Sequence, residues 1–159
     1  VQPNTLLQFL QERQRHCRHT LDIVTTARFS GGLPNQCFNN AFEKLQVEGI
    51  SIISGWLVHP FDTGKNSRQF TQHWWNFDNR LQQYVDFSPN IEVDATYLID
   101  TDIAFFAALN FCRLSSCVPC SVLLSHGQFY GIRLTETGHA IESLPELGTE
   151  ALFAPYLAA

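Results

Sequence analysis

Hydrophobic and polar positions change period several times along this chain. Leu6, Leu7, Phe9 and Leu10 lead into a polar run, which predicts an amphipathic helix over residues 4–18. The stretch SGGLPN, residues 30–35, holds two glycines and a proline and reads as a loop. Phe38, Ala41, Phe42 and Leu45 then recur at helical spacing, with Asn35 as the expected N-cap and Gly49 as the stop. ISIISGWLVH, residues 50–59, is β-branched and aromatic and predicts a strand; a polar loop starting at Pro60 follows it to residue 68. FTQHWWNFDNRLQQYVDF, residues 70–87, places apolar residues on both sides of a polar turn and predicts a β-hairpin closed by Pro89 and Asn90. TDIAFFAALNF (101–111) predicts a further helix, CSVLLSHGQFYGIRL (120–134) a second hairpin turning at Ser125–Gln128, and SLPELGTEALFAPYL (143–157) a short closing helix. There is no internal repeat and no linker. Hairpins outnumber alternating strand–helix units, so the expected class is α+β, in one domain spanning residues 1–159.

Composition narrows the picture. The chain has 159 residues, 45% of them hydrophobic and 16% charged, which fits a soluble globular protein and argues against disorder. No apolar run approaches the roughly 20 residues that cross a bilayer, so no membrane span is expected. The net charge is −5, and the one basic cluster, ERQRHCRH (12–19), reads as the wet face of a helix. Nucleic acid is therefore not expected as a partner. The chain begins at Val1 and contains no methionine, which suggests a trimmed or processed form. A cytoplasmic location is expected, with secretion or injection as an effector the alternative.

Five cysteines, Cys17, Cys37, Cys112, Cys117 and Cys120, are an odd number at spacings unlike a small disulfide scaffold, so reduced thiols are expected. Cys112, Cys117 and Cys120 have the C-x4-C-x2-C spacing of a plant-type ferredoxin loop without a fourth cysteine, and His126 is the candidate fourth ligand for zinc. Buried structural thiols are the simpler account, and neither metal nor cofactor is expected. His16 and His19 are read as a solvated face, and His139 as a loop residue.

The 70–87 hairpin carries chemistry. A turn centred between Asn79 and Arg80 sets His73 directly opposite Asp86 on one face. A carboxylate beside an imidazole fixes its tautomer and favours its charged form. Asp78, the rival acid, belongs to the turn, and His59 is a rival base at a strand end. Upstream, Asn35 as N-cap makes Cys37 the second residue of a helix. Unpaired N–H groups there favour the thiolate and can hold an oxyanion. The plain alternative for Cys37 is a small buried hydrophobe. Trp56 and Trp74 are expected in the core, with shielding of the site from water as a second role.

The run QCFNNAF, then GW, HWWNF and YVDFSP, resembles the papain-like and transglutaminase-like thiol enzymes over roughly residues 30–90. The separations, 36 residues from Cys37 to His73 and 13 from His73 to Asp86, are similar to the compact bacterial members. Those include glutamine deamidase effectors and toxins, transglutaminase-like peptidases and arylamine N-acetyltransferases. The resemblance implies a helix bearing Cys37 packed on an antiparallel sheet bearing His73 and Asp86, a catalytic triad of these three, and a protein or peptide substrate. The implied activity is cysteine-dependent hydrolysis of an amide through an acyl-enzyme, as a deamidase or peptidase. Transglutamination or N-acyl transfer is the alternative, and a non-catalytic module of the same fold the second. Papain-like proteases carry an oxyanion-hole glutamine six residues before the cysteine. Gly31 stands there, so Gln36, Asn35 or Gln72 is the candidate substitute, with Trp74 in support. Arg28 and Gly31-Gly32 loosely match the Arg-Gly-Gly-x-Cys signature of the acetyltransferases.

Overall fold

Two long strands, β3 (Ile50–Pro60) and β4 (Ser67–Asp78), pair antiparallel over their whole length, from Ile50 opposite Asp78 to Pro60 opposite Arg68. Their residues explain this: β-branched and aromatic side chains fill both faces of the ribbon, which suits a pleated, buried surface. The computed structural model describes residues 5–15, 21–29, 31–33, 37–60, 66–89, 91, 94–100, 121–135 and 138–143, the last group from 132 on by backbone alone. Among these it is a mixed α+β protein, with two helices and a large, mainly antiparallel sheet.

The helices are α1 (Thr5–Gln14) and α2 (Cys37–Glu43), the latter running into a 3-10 turn, Lys44–Gln46. The other strands are β1 (Asp22–Val24), β2 (Thr26–Arg28), β5 (Gln83–Asp86), β6 (Thr96–Ile99), β7 (Ser121–Ser125), β8 (Gln128–Thr135) and β9 (Gly138–Ser143). The sheet order is β1-β6-β3-β4-β7-β8-β9, with β5 beside β4 and β2 pairing parallel to β5.

Alternation along the strands builds two cores. Trp56, Val58, Phe70, Trp74, Leu98, Val122 and Leu124 face one side and pack with Phe9 of α1 and Ala41 of α2. Leu57, Trp75, Tyr97 and Ile99 face the other. Each fully buried large side chain contributes about 1.5–3 kcal/mol through the hydrophobic effect. α1 is also held by a buried ion pair: Arg13 Nε donates to Asp100 Oδ2 at 2.7 Å, and Trp56 Nε1 donates to the same oxygen at 2.8 Å. Gly55 permits a close crossing, because a Cβ there would meet the Leu98 carbonyl and the ring of Trp75.

One detail of the ladder matters for the site. On the edge of β4 away from β3, β7 pairs with residues 67–71 and β5 with residues 76–78. Residues 72–75 have no strand partner on that edge among the described residues.

The expected hairpins are present. The second turns at His126 and Gly127, both at positive φ (48° and 79°), the mirror-image geometry that suits a two-residue hairpin. The differences fall on short or late elements. β1, β2, β6 and β9 were not anticipated, and α1 ends at Gln14. His139 pairs with Leu134 inside β9 rather than lying in a loop. The expected helix at 101–111, the closing segment from 144 onward, and Cys17, Cys112, Cys117 and Cys120 lie outside the described residues. No described helix is long and apolar enough to cross a membrane.

Candidate active site

Cys37 stands at the start of α2 among the described residues; the expected N-cap Asn35 and its neighbour Gln36 lie outside them. The approach to this helix is tied down from two sides. Phe29 N–H donates to Asp86 O at 2.8 Å and Gly32 N–H to Phe87 O at 2.9 Å, which binds the loop to the end of β5. Asn40, one turn into α2, reaches back to the loop: its Oδ1 accepts Leu33 N–H at 2.9 Å and its Nδ2 donates to Leu33 O at 2.8 Å. Gly32 leaves room for this clamp, since a Cβ there would collide with the Asn40 side chain. The helix itself lies on β4. Phe38 meets Trp74 edge-on, and Asn76 Nδ2 donates to Ala41 O at 2.9 Å.

His73 lies in this stretch of β4, 4% exposed, with its ring beside Trp75 and Tyr97. The expected register with β5 is corrected. Asn76 pairs with Val85 and Asp78 with Gln83, so the turn holds four residues and is centred between Arg80 and Leu81. Asp78 sets that turn: its Oδ1 accepts Arg80 N–H at 2.9 Å, and the backbone at Gln82 takes a positive φ of 51°. The same register, extended, sets Asp86 opposite Trp75 and diagonal to His73. A slip of two residues keeps every side chain on its face, whereas a slip of one would reverse them. The contact therefore survives: His73 Nε2 and Asp86 Oδ2 are 2.8 Å apart.

Asp86 is 1% exposed and well supplied with donors. Tyr97 O–H donates to Oδ2 at 2.6 Å and Ser88 N–H to Oδ1 at 2.9 Å. Burial pushes this carboxyl up, but the hydrogen bond and charge of His73, with Tyr97 and Ser88, outweigh it and hold the pKa below the ordinary value. Tyr97 was not identified from the sequence. Burial, then the neighbouring carboxylate, push its phenol well above the usual range, so it remains a donor. Arg28 of β2 lies over the Tyr97 ring, 5.9 Å from its centroid.

The thiol completes the line. Burial pushes Cys37 up, yet the charge of His73, a hydrogen bond from it and one from Trp74 N–H bring it below its ordinary value. His73 moves the opposite way: burial depresses it, and Cys37 and Asp86 together raise it to about 10. With Nε2 engaged by Asp86, Nδ1 is the ring nitrogen left for the sulfur. Cys37 is partly exposed as a residue, while its thiol is desolvated by burial. The arrangement favours a thiolate–imidazolium pair.

Trp74 contributes its main chain here, since its indole is in the helix-side core at 2% exposure. Trp56 is likewise core. His59 pairs with Gln69 near the end of β3, and Asp78 is engaged with Arg80. Gln72 is buried next to His73 in β4; Gly31 lies in the loop ahead of Cys37.

No family model, curated protein or solved structure matches this chain.

Proposed function

We propose that this protein is a cysteine-dependent hydrolase that cleaves an amide through an acyl-enzyme on Cys37, on a papain-like or transglutaminase-like core. The observation that carries the reading is the buried line Cys37–His73–Asp86, in which a lowered thiol and a raised imidazole share one proton. Such a line does nucleophilic chemistry at neutral pH without a cofactor.

The steps follow from the groups present. The Cys37 thiolate attacks the carbonyl carbon, forming the S–C bond while the carbonyl oxygen takes the negative charge. Main-chain N–H groups at the start of α2 are the candidate donors to that oxygen. The oxyanion collapses, the C–N bond breaks, and His73 gives its Nδ1 proton to the leaving nitrogen. Water then attacks the thioester and passes a proton to His73. The acid is released and the thiolate–imidazolium pair is restored. Asp86 holds the ring so that Nδ1 faces the sulfur and stabilises its positive form. Tyr97 positions Asp86. Replacement of water by an amine gives transamidation with the same residues.

The test is to incubate the protein with a mixture of glutamine- and asparagine-containing peptides, then measure its intact mass after an acid quench. An acyl adduct on Cys37, with carboxylate products and released amine or ammonia, is expected in the wild type and absent in His73→Ala. No adduct and no product, together with a Cys37 that alkylates like an ordinary thiol, would overturn the proposal and leave a non-catalytic module.

A further inference from the structure

The strands that carry Tyr97 and Asp86 are not neighbours in the sheet: β3 and β4 stand between β6 and β5. One residue, Thr25, joins β1 to β2, and these pair with β6 and with β5 respectively. So short a link curls the sheet and draws its two sides together, which is how the Tyr97 phenol reaches Asp86 Oδ2 at 2.6 Å. Arg28 ends β2 at this closure. It stands opposite Asp86 in the parallel register, and the next residue, Phe29, donates its N–H to Asp86 O at 2.8 Å.

Arg28 is exposed as a residue, yet its guanidinium is directed. Nη2 donates to the Ala95 carbonyl at 3.4 Å, just ahead of β6, and Cζ lies 5.9 Å from the centre of the Tyr97 ring. A guanidinium in that position is attracted by the ring face. Burial and Asp86 push the phenol up, and the charge of Arg28 with a hydrogen bond from it acts the other way. The ladder neighbours of Tyr97, Val24 of β1 and Leu57 of β3, carry no charge. Among the described residues, the titratable groups shown against Tyr97 are Asp86, Arg28 and, ring to ring, His73.

We propose that Arg28 is a positioning residue for the thiol site and acts through the Tyr97 hydroxyl. Its guanidinium donates to the phenol oxygen, the phenol donates its own O–H to Asp86, and Asp86 holds the His73 ring against Cys37. An O–H whose oxygen already accepts a hydrogen bond is the stronger donor, because bonds in a chain polarise one another. Guanidinium, phenol, carboxylate, imidazolium and thiolate thus stand in one line, with only its outer end at the surface. Arg28 keeps the phenol turned as a donor and favours an ionised Asp86 at the pH where the thiolate must form. This inference rests on the thiol chemistry proposed above and adds the group at the far end of its line.

The experiment measures the pH dependence of Cys37 alkylation by iodoacetamide in the wild type, Arg28→Ala, Tyr97→Phe and the double variant. Without Arg28 the hold on the Asp86 carboxylate weakens, the imidazolium loses support, and the thiolate forms at higher pH. Arg28→Ala is expected to move the acid limb up by about half a pH unit, about threefold in rate at a fixed pH on that limb. In the Tyr97→Phe background the same substitution is expected to move it by less than about 0.2 unit, since the hydroxyl that carries the effect is gone. Arg80→Ala removes an equal charge at the hairpin turn and is expected to leave the limb in place. Arg28→Gln, expected to shift the limb in the same direction, is the second variant if Arg28→Ala fails to fold. A limb unmoved by loss of Arg28, even with a lower unfolding midpoint, would overturn the role and leave a structural arginine. A shift that persists in full without the Tyr97 hydroxyl would overturn the path through it. In both cases a fast wild-type Cys37 leaves the thiol chemistry standing. A Cys37 that titrates as an ordinary thiol in the wild type would overturn both.

Discussion

The β4–β5 hairpin carries two acid–base pairs, one at its turn and one at its open end. Asp78 Oδ2 meets Arg80 Nη2 at 2.9 Å, and Asp86 Oδ2 meets His73 Nε2 at 2.8 Å. Length does not separate them; surroundings do. Asp78 is itself only 6% exposed, but Arg80 is 57% exposed, so water and salt screen the pair from the arginine side and it serves the turn. His73 and Asp86 are 5% and 1% exposed, so the same contact acts in a medium that penalises every uncompensated charge. Under the proposed function, what sets the second pair apart is that solvent is excluded and the Cys37 thiol can exchange a proton with it.

The sharpest way to break the comparison is to neutralise each acid. Asp86→Asn strips a buried imidazolium of its partner and is expected to cost about 3 kcal/mol in urea unfolding, the scale for breaking a buried pair from one side. It also slows Cys37 alkylation at pH 6. Asp78→Asn is expected to leave that alkylation unchanged and to alter unfolding far less. Equal losses for the two would show that burial is not what distinguishes them.

Tyr97→Phe is the next largest change. It removes a hydrogen bond to a charged group, worth about 1.5–3 kcal/mol. The folded pKa of Asp86 lies below its unfolded value, so its contribution is present above about pH 4 and is lost as the pH falls through the folded pKa. Without the phenol O–H that folded pKa rises, and acid unfolding followed by circular dichroism is expected to begin at higher pH.

The shared proton predicts a particular pH profile. The raised pKa of His73 gives stability that is fully present below 6.5 and lost as the pH rises through about 10. The lowered pKa of Cys37 gives stability present above 9.0 and lost as the pH falls through its folded value. Above both 6.5 and the folded value of Cys37, and up to 9.0, these slopes cancel, because each state holds one proton, on the imidazole when folded and on the sulfur when unfolded. The contribution of this pair to stability is expected to be flat across that window and to decline above 9.0. A steady slope through it, lost in a Cys37→Ala/His73→Ala double variant, would contradict the shared proton. Arg80→Ala is the smallest change expected, with a Cys37 alkylation profile that superimposes on the wild type.

Much of this arrangement was legible in the residues. The periodicity of β3, β4 and α2 is strong because one or both faces are buried, and cysteine, histidine and aspartate stood out as reactive types in a consistent order. The register was misjudged because Asn79-Arg80 was read as the centre of the turn, while the Asp78–Arg80 interaction makes a four-residue turn. The error was even, so the His73–Asp86 face was right even though the pairing was not. Tyr97 was missed because β6 is four residues long and buried, with too few positions to reveal a period. TYLI between Asp94 and Asp100 was the available signal, a β-branched and aromatic run bounded by acids. Asn40 carries no signature of its own; what it does depends on Leu33, which lies across the loop from it.

The most direct test is the rate of Cys37 alkylation by iodoacetamide as a function of pH, read on the Cys37-bearing peptide by mass spectrometry, in the wild type and in His73→Ala. The account predicts a wild-type midpoint below 9.0 and a slower rate at pH 6 in the variant, as an ordinary thiol is about a thousandth ionised there. A midpoint at or above 9.0 in the wild type, unmoved by His73→Ala, would contradict it.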